Sequence, residues 1–402
     1  MTEITITRLG RQGDGIAEGP VYAPLTLPGE VVAGEMEGQI LRNPRILAPS
    51  PDRVSPPCRH FKSCGGCQLQ HASVQFVTAW KQDVVRTALA AQGLETGFLS
   101  THVSQARRRA ALSARRTKKG TMAGFHARAS DVIVEIPDCR LLHRDLMAAL
   151  PVAEGLAHAG ASRKRPLSVR ATLSESGLDI LALGGKPLDG PLRVALAALA
   201  DRYDLARLTW QDETVVTRRP PEHRFGTARV VPPPGAFLQA TAQAEAQMQK
   251  DVERIVKGAH RVLDLFAGCG TFALDLARAH EVHAVEGDSA MMTALDQGWR
   301  GGEALRAVTH ETRDLFRNPL IGADLAGFDA AVIDPPRAGA SAQIDALGSS
   351  RIPVIAYVSC NPVSFARDAR RLSDAGYALN GLRVIDQFRW STHVELVAEF
   401  TR

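Results

Sequence analysis

"VLDLFAGCGTFAL", residues 262–274, reads as an apolar strand, a glycine loop and the start of a helix. Gly268 and Gly270 let the backbone approach a ligand at the helix N-terminus, where unpaired N–H groups face it. The loop is a poor dinucleotide fingerprint, because Ala273 stands where the third glycine of G-x-G-x-x-G belongs. Glu286 lies 22 residues after Asp264, at the end of the next apolar run, a distance at which a carboxylate binds both hydroxyls of a ribose. A nucleoside ligand follows, with NAD and S-adenosylmethionine both still open.

Further runs repeat this rhythm. "HRVLDLFAG", "HEVHAVEGD", "ALRAVTHETRD", "FDAAVIDPP" and "IPVIAYVSC" are five strand candidates at βαβ spacing, which predicts a parallel, doubly wound sheet. Such a sheet gathers the carboxyl ends of its strands on one edge, where the ligand crevice lies. The fourth run ends in "DPPRAG", which places Asp334 in that crevice and resembles the fourth motif of S-adenosylmethionine-dependent methyltransferases. Enzymes of that class that methylate amino nitrogens follow the prolines with an aromatic ring; Arg337 takes that place here.

One strand later, "YVSCNP" brings the Cys360 thiol to the same edge. Carbon 5 of uracil is a weak nucleophile, and a thiolate added to carbon 6 converts the ring to an enolate that can attack a methyl donor. A base must then remove the carbon-5 proton. Glu395 in "STHVELVAEF" alternates with Val394 and Leu396 on a strand expected to close the sheet, and His393 competes for the role.

Toward the N-terminus the pattern changes. Residues 1–48 alternate short β-like runs with glycine turns, which suggests a small β-barrel, and "LRNPRILAPSPDRVSPP", with five prolines, reads as a linker. "CRHFKSCGGCQLQH" then places Cys58, Cys64 and Cys67 in a C-x5-C-x2-C pattern, with Cys139 in "EIPDCRLL" as a distant fourth. Four thiolates suit structural zinc or an iron–sulfur cluster, and spacing alone does not choose. Cys269, in the glycine loop, reads as packing. A helix is expected across residues 72–95, where Phe76, Trp80, Val84 and Leu89 recur. From Thr101 to Ser130 there are eight Lys or Arg and no acid, a local field suited to nucleic acid, whereas Met1 to Arg45 holds four basic residues against six acidic.

The 402 residues are 45% hydrophobic and 23% charged with a net charge of +5, which excludes disordered and collagen-like classes. No leader pattern and no run of 18 apolar residues is visible, so a cytoplasmic protein without membrane spans is expected. In a reducing compartment cysteines read as ligands or nucleophiles before disulfides.

"FLQA", "DLFAGCG", "DPPRAG", "YVSCNP" and "HVELV" occur in the order and spacing of the RNA uracil-5-methyltransferase family, and the likeness to its 23S ribosomal branch extends over nearly the whole chain. The resemblance implies an α/β, Rossmann-like methyltransferase domain at 231–402, an N-terminal TRAM (OB-like) barrel at 1–48 and a central α+β iron–sulfur and RNA-binding domain at 49–230. By position it makes Cys360 the nucleophile and Glu395 the resolving base. It places Gln239, Phe266, Gly268, Thr271, Glu286, Asp314 and Asp334 around S-adenosylmethionine and uracil. It also makes Cys58, Cys64, Cys67 and Cys139 ligands of a [4Fe-4S] cluster, with zinc the less favoured occupant. Thr241 departs from the family, which commonly has asparagine there. The implied partner is RNA, foremost 23S rRNA or its precursor, acted on by a monomer. Competing readings are the same chemistry on the T-loop uridine of tRNA, a non-catalytic RNA-binding protein on this fold, and a zinc-containing nicotinamide enzyme.

Overall fold

The computed structural model describes residues 2–402. Its C-terminal half is an eight-stranded sheet with the order Val308–Thr312, Glu281–Glu286, Arg261–Leu265, Ala330–Ile333, Val354–Ser359, Glu395–Thr401, Ala378–Asp386 and His102–Val103. The first five are the expected runs, and they pair in parallel. The inner strands are largely apolar on both faces, as a sheet covered on both sides requires: Val262, Leu263, Leu265 and Ala330 to Ile333 are buried, whereas the edge strand Val308–Thr312 is mostly exposed. Order reverses between Arg261–Leu265 and Ala330–Ile333, which makes the crevice above them the switch point.

Glu395–Thr401 differs from the sequence expectation. It does not close the sheet but is inserted antiparallel between Val354–Ser359 and Ala378–Asp386, and His102–Val103 forms the edge. Because it runs against its neighbours, its first residue, Glu395, arrives at the edge where the parallel strands end. Pairing of Leu396 with Ser359 brings Glu395 beside Cys360. The expected helix spans Val74–Ala90, capped by Ser73, whose Oγ accepts from the Phe76 N–H at 3.1 Å. It buries Val85, Ala88 and Leu89 in the core of the C-terminal sheet.

The basic run divides between two sheets. His102–Val103 joins the C-terminal sheet, while Arg109–Arg116 and Thr121–His126 enter a seven-stranded sheet that continues through Leu167–Ser174 and Gly177–Leu183. Helices Ala149–Gly160 and Gly190–Arg202 cover that sheet around the fully buried Trp210. A Cβ at Gly185 would lie 2.0 Å from the Trp210 ring, so glycine is required there.

Residues Thr2–Ala48 form a curled six-stranded sheet. Its outer strands, Thr2–Thr5 and Arg8–Leu9, are consecutive, and the Ile6 and Thr7 N–H groups between them donate to the carbonyls of Glu30 and Ile16. The first proline-rich residues are not linker: Ile40–Ala48 is the longest strand of this sheet. Pro44 is tolerated because pairing shifts register opposite it, next to Asn43 at φ +46°.

Candidate active site

The crevice opens into a cavity of about 470 Å³ lined by Gln239, Phe266, Gly268, Thr271, Glu286, Asp314, Asp334, Cys360 and Glu395, so every organic-ligand and catalytic position expected from the sequence meets in one place. The glycine loop shapes its floor. Gly268 and Gly270 lie at φ +56° and +91°, and a Cβ at Gly270 would press to 2.9 Å from Leu274. The helix after the loop is short, Ala273–Leu276. Phe266 also holds a left-handed conformation, φ +62°, and its ring lies 5.4 Å from that of half-exposed Phe316.

Three backbone N–H groups hold the Glu286 carboxylate: Gly268 at 3.1 Å, Gly287 at 2.7 Å and Asp288 at 3.1 Å. Its place at the strand end suits a ribose. Asp314 accepts from the Phe316 N–H at 3.0 Å, which orients the aromatic turn beside it. The side chain of Gln239 is fixed by Gln387, whose Nε2 donates to Oε1 at 2.8 Å while its own carbonyl accepts from the Ala240 N–H at 2.7 Å. These groups fit a nucleoside carrying a cationic methyl donor.

Electrostatics separate the buried titratable groups of this cavity from ordinary surface groups. Burial raises the Asp334 pKa to about 7. Burial, reinforced by Asp334, lifts Glu395 well above the carboxylate range, against the opposing charges of Arg109, Lys81 and Arg337. Glu395 Oε2 has no hydrogen-bond partner in the protein, so it is free to take a proton. The Cys360 thiol is pushed up to about 11, first by burial and then by Glu395 and Asp334, with Arg337 opposing. His393, the competing base, accepts at Nδ1 from Arg337 Nη2, 3.0 Å away, and its pKa is lowered by burial. It does not line the cavity, whereas Glu395 does.

Three contributors escaped the sequence reading. Lys81 is fully buried and bonds Asp386 Oδ1 at 2.7 Å. Its signal was available: it shares the helix face of Val77, Val85 and Ala88. Arg109 stacks at 4.2 Å on Phe237 at the cavity wall, and only its membership of the basic run marked it. Gln387 carried no signal.

The four cysteines cluster apart from this cavity. Cys64 and Cys67 are buried, Cys58 and Cys139 half-buried, and none is in a disulfide. Burial, reinforced by the neighbouring thiols, raises the pKa of Cys64, Cys67 and Cys139, and drives Cys67 to about 12. Among the described residues no group of three or more His, Cys, Asp or Glu side chains is placed to hold a metal ion. The Gly66 N–H points at Cys64 Sγ, 3.3 Å away. Cys67 packs with Phe61, Leu141 and Trp390, and the next two residues, Gln68 and Leu69, donate to the Trp390 carbonyl at 2.7 and 2.9 Å. The cysteine segment thus holds the loop that leads to Glu395.

The chain is similar to known RNA methyltransferases. Residues 300–400 match the tRNA (Uracil-5-)-methyltransferase family. An uncharacterized RNA methyltransferase of Rhizobium meliloti is 45% identical over 98% of both chains. The 23S rRNA (uracil(1939)-C(5))-methyltransferase RlmD of Shewanella piezotolerans is 32% identical over 99% of this chain and 95% of its own. The chain belongs to the RNA uracil-5-methyltransferase family. As a member of it, the protein is an S-adenosylmethionine-dependent RNA methyltransferase. The fold of the uracil-5-methyltransferases is reproduced over the full length: a Pyrococcus abyssi tRNA (uracil-54, C5)-methyltransferase solved with S-adenosyl-L-homocysteine superposes with a TM-score of 0.79, covering 99% of each chain at 21% identity. No helix among the described residues is long and apolar enough to cross a membrane.

Proposed function

We propose that this protein methylates carbon 5 of a uridine in cytoplasmic 23S rRNA through a covalent bond between Cys360 and carbon 6 of the base. The observation that carries the reading is the meeting of the Cys360 thiol and the unpartnered Glu395 carboxyl in one cavity with Glu286 and Asp334. The target must leave its stack to reach that cavity. The Cys360 thiol gives up its proton to solvent, the thiolate adds to carbon 6, and the displaced electron pair moves to the carbon-4 oxygen. Bound S-adenosylmethionine would supply an electrophilic methyl group, which carbon 5 takes while the electron pair of the broken carbon–sulfur bond stays on sulfur and S-adenosylhomocysteine is left. Glu395 then accepts the carbon-5 proton, and the pair left behind re-forms the ring double bond as the sulfur leaves. The raised pKa of Glu395 makes its carboxylate a stronger base than an exposed one.

Glu286 would hold the ribose, Phe266 and Asp314 the adenine end, and Asp334 the positive end of the donor. Cys58, Cys64, Cys67 and Cys139 would hold a [4Fe-4S] cluster that ties the ends of the basic segment together; the transfer itself needs no redox step. Residues Thr2–Ala48 would act as the TRAM module.

A second reading, the T-loop uridine of tRNA, is favoured by the family that matches residues 300–400 and by the activity of the Pyrococcus abyssi enzyme. The four-cysteine site and the likeness to the Shewanella piezotolerans enzyme favour the ribosomal substrate. Incubation of anaerobically purified protein with S-adenosylmethionine and 5-fluorouridine-substituted RNA decides between them, since fluorine blocks the final proton abstraction. The expected result is an adduct at Cys360 with 23S rRNA. An adduct with tRNA alone selects the second reading, and none with either overturns both.

A further inference from the structure

Next to the catalytic cavity lies a second one, of about 300 Å³, whose wall includes Arg107, Arg140 and Arg389 and no carboxylate. Most arginines of this chain that approach an acid pair with it, but these three have no ion-pair or side-chain hydrogen-bond partner among the described residues. The Nε groups of Arg107 and Arg389 are buried and make no hydrogen bond. Each guanidinium instead lies over an aromatic ring, Arg107 at 5.4 Å from Phe388 and Arg389 at 4.3 Å from Trp390. Stacking of that kind holds the planar group in place and leaves its N–H donors unused. Asp145, next in sequence to the lining residues His143 and Arg144, is engaged by Arg144 at 3.3 Å and by His143 at 3.6 Å.

A single hydrogen bond separates this cavity from the catalytic one. Gln387 lines the second cavity, and its Nε2 bonds the Gln239 side chain, which lines the first, at 2.8 Å. A group bound beside Gln387 therefore sits next to whatever occupies the catalytic cavity. Three unpaired guanidiniums, two of them with buried Nε donors, call for a polyoxygen anion.

We propose that this cavity is a phosphate subsite for the substrate RNA, in which Arg107, Arg140 and Arg389 grip the backbone beside the flipped uridine. The subsite rests on the RNA methyltransferase reading of the neighbouring cavity. It holds the strand by its phosphate without reading a base, so it acts on register and affinity rather than on chemistry.

The test compares wild type with Arg140→Ala/Arg389→Ala by measuring Kd against KCl concentration for a 23S rRNA transcript and a tRNA transcript. Loss of one phosphate contact lowers the slope of log K on log salt by about 0.7 for single-stranded RNA. The expected result is a fall of at least that size on the RNA that forms the adduct, with S-adenosylhomocysteine affinity unchanged as the check on folding. Arg140→Glu provides a second variant at an exposed position, and it should weaken RNA binding further than Arg140→Ala. An unchanged slope in a variant that still binds S-adenosylhomocysteine overturns the subsite while leaving the catalytic reading intact. Protection by inorganic phosphate with no change in the RNA slope makes the cavity a free-anion site and overturns it too. Wild type that binds neither RNA with salt dependence sinks the subsite and the functional reading together.

Discussion

Lys81 and Asp386 form a buried ion pair at 2.7 Å although 305 residues separate them. Lys81 Nζ also donates to the Phe388 carbonyl at 3.3 Å, so the helix Val74–Ala90 pins the segment leading into Gln387–Val394. Removing one member leaves the other charge buried without a counterion. Lys81→Met should therefore cost about 3–5 kcal/mol of stability. Lys81→Met/Asp386→Leu should recover most of it in urea unfolding; a double variant as unstable as the single one would contradict the pairing account.

Cys360→Ala should abolish methyl transfer and adduct formation. Glu395→Gln should instead accumulate an adduct with ordinary uridine, because addition precedes proton removal, and lower turnover about 10²- to 10⁴-fold. Denaturing gels of protein with labelled RNA separate the two. If Glu395→Gln turns over normally, another group removes the proton.

With a pKa near 11, the Cys360 thiol is almost wholly protonated at neutral pH in the ligand-free protein. Alkylation by iodoacetamide at Cys360 should accordingly be slow at pH 7 and climb steadily toward pH 10. A cationic donor in the cavity offsets the fields of Glu395 and Asp334. S-adenosylmethionine should thus speed alkylation relative to the neutral S-adenosylhomocysteine, as read by peptide mass spectrometry. Equal rates with both ligands would show that these carboxylates do not set the thiol's reactivity.

Asp334 titrates near 7 when folded and near 3.8 when unfolded, so the folded chain binds more protons between those values. Its contribution to stability is fully present below about pH 4 and is lost as pH rises through 7. Glu395 acts in the same direction. Ligand-free protein should show a lower urea midpoint at pH 8 than at pH 5, and Asp334→Asn should flatten that dependence. A variant with the wild-type slope would locate the effect elsewhere.

Cys64→Ser should lower both thermal stability and RNA affinity, since the cysteine segment packs under Trp390 and holds its carbonyl through Gln68 and Leu69. Calorimetry and RNA binding check this in parallel. A soluble, stable variant with normal RNA binding would detach the cysteine site from both roles.

The parallel strands and their crevice were legible because each signal was local: an apolar run, a glycine loop at Gly268 and Gly270, and a polar residue at the strand end. Even the antiparallel strand was visible as a strand. Its place was not, because register with Ser359 is a long-range choice that no period in "HVELVAEF" encodes. Pro44 misled for the opposite reason, since proline is a local breaker that a bulge accommodates. Gln387 was invisible: a buried amide linking two cavities has the same letter as one on the surface. Lys81 could have been found, as a charge on the inward face of an amphipathic helix.

Helix Val74–Ala90 belongs to the first half of the chain by sequence but supplies part of the wall of the catalytic core through Val85, Ala88 and Leu89. The two halves therefore cannot be exchanged as separate modules. Recombination that joined the C-terminal half to a different N-terminal half would have to carry this helix along, or else expose an apolar face and strand the carboxylate of Asp386. New substrate preferences on this scaffold are easier to reach by changing surface arginines than by swapping whole domains.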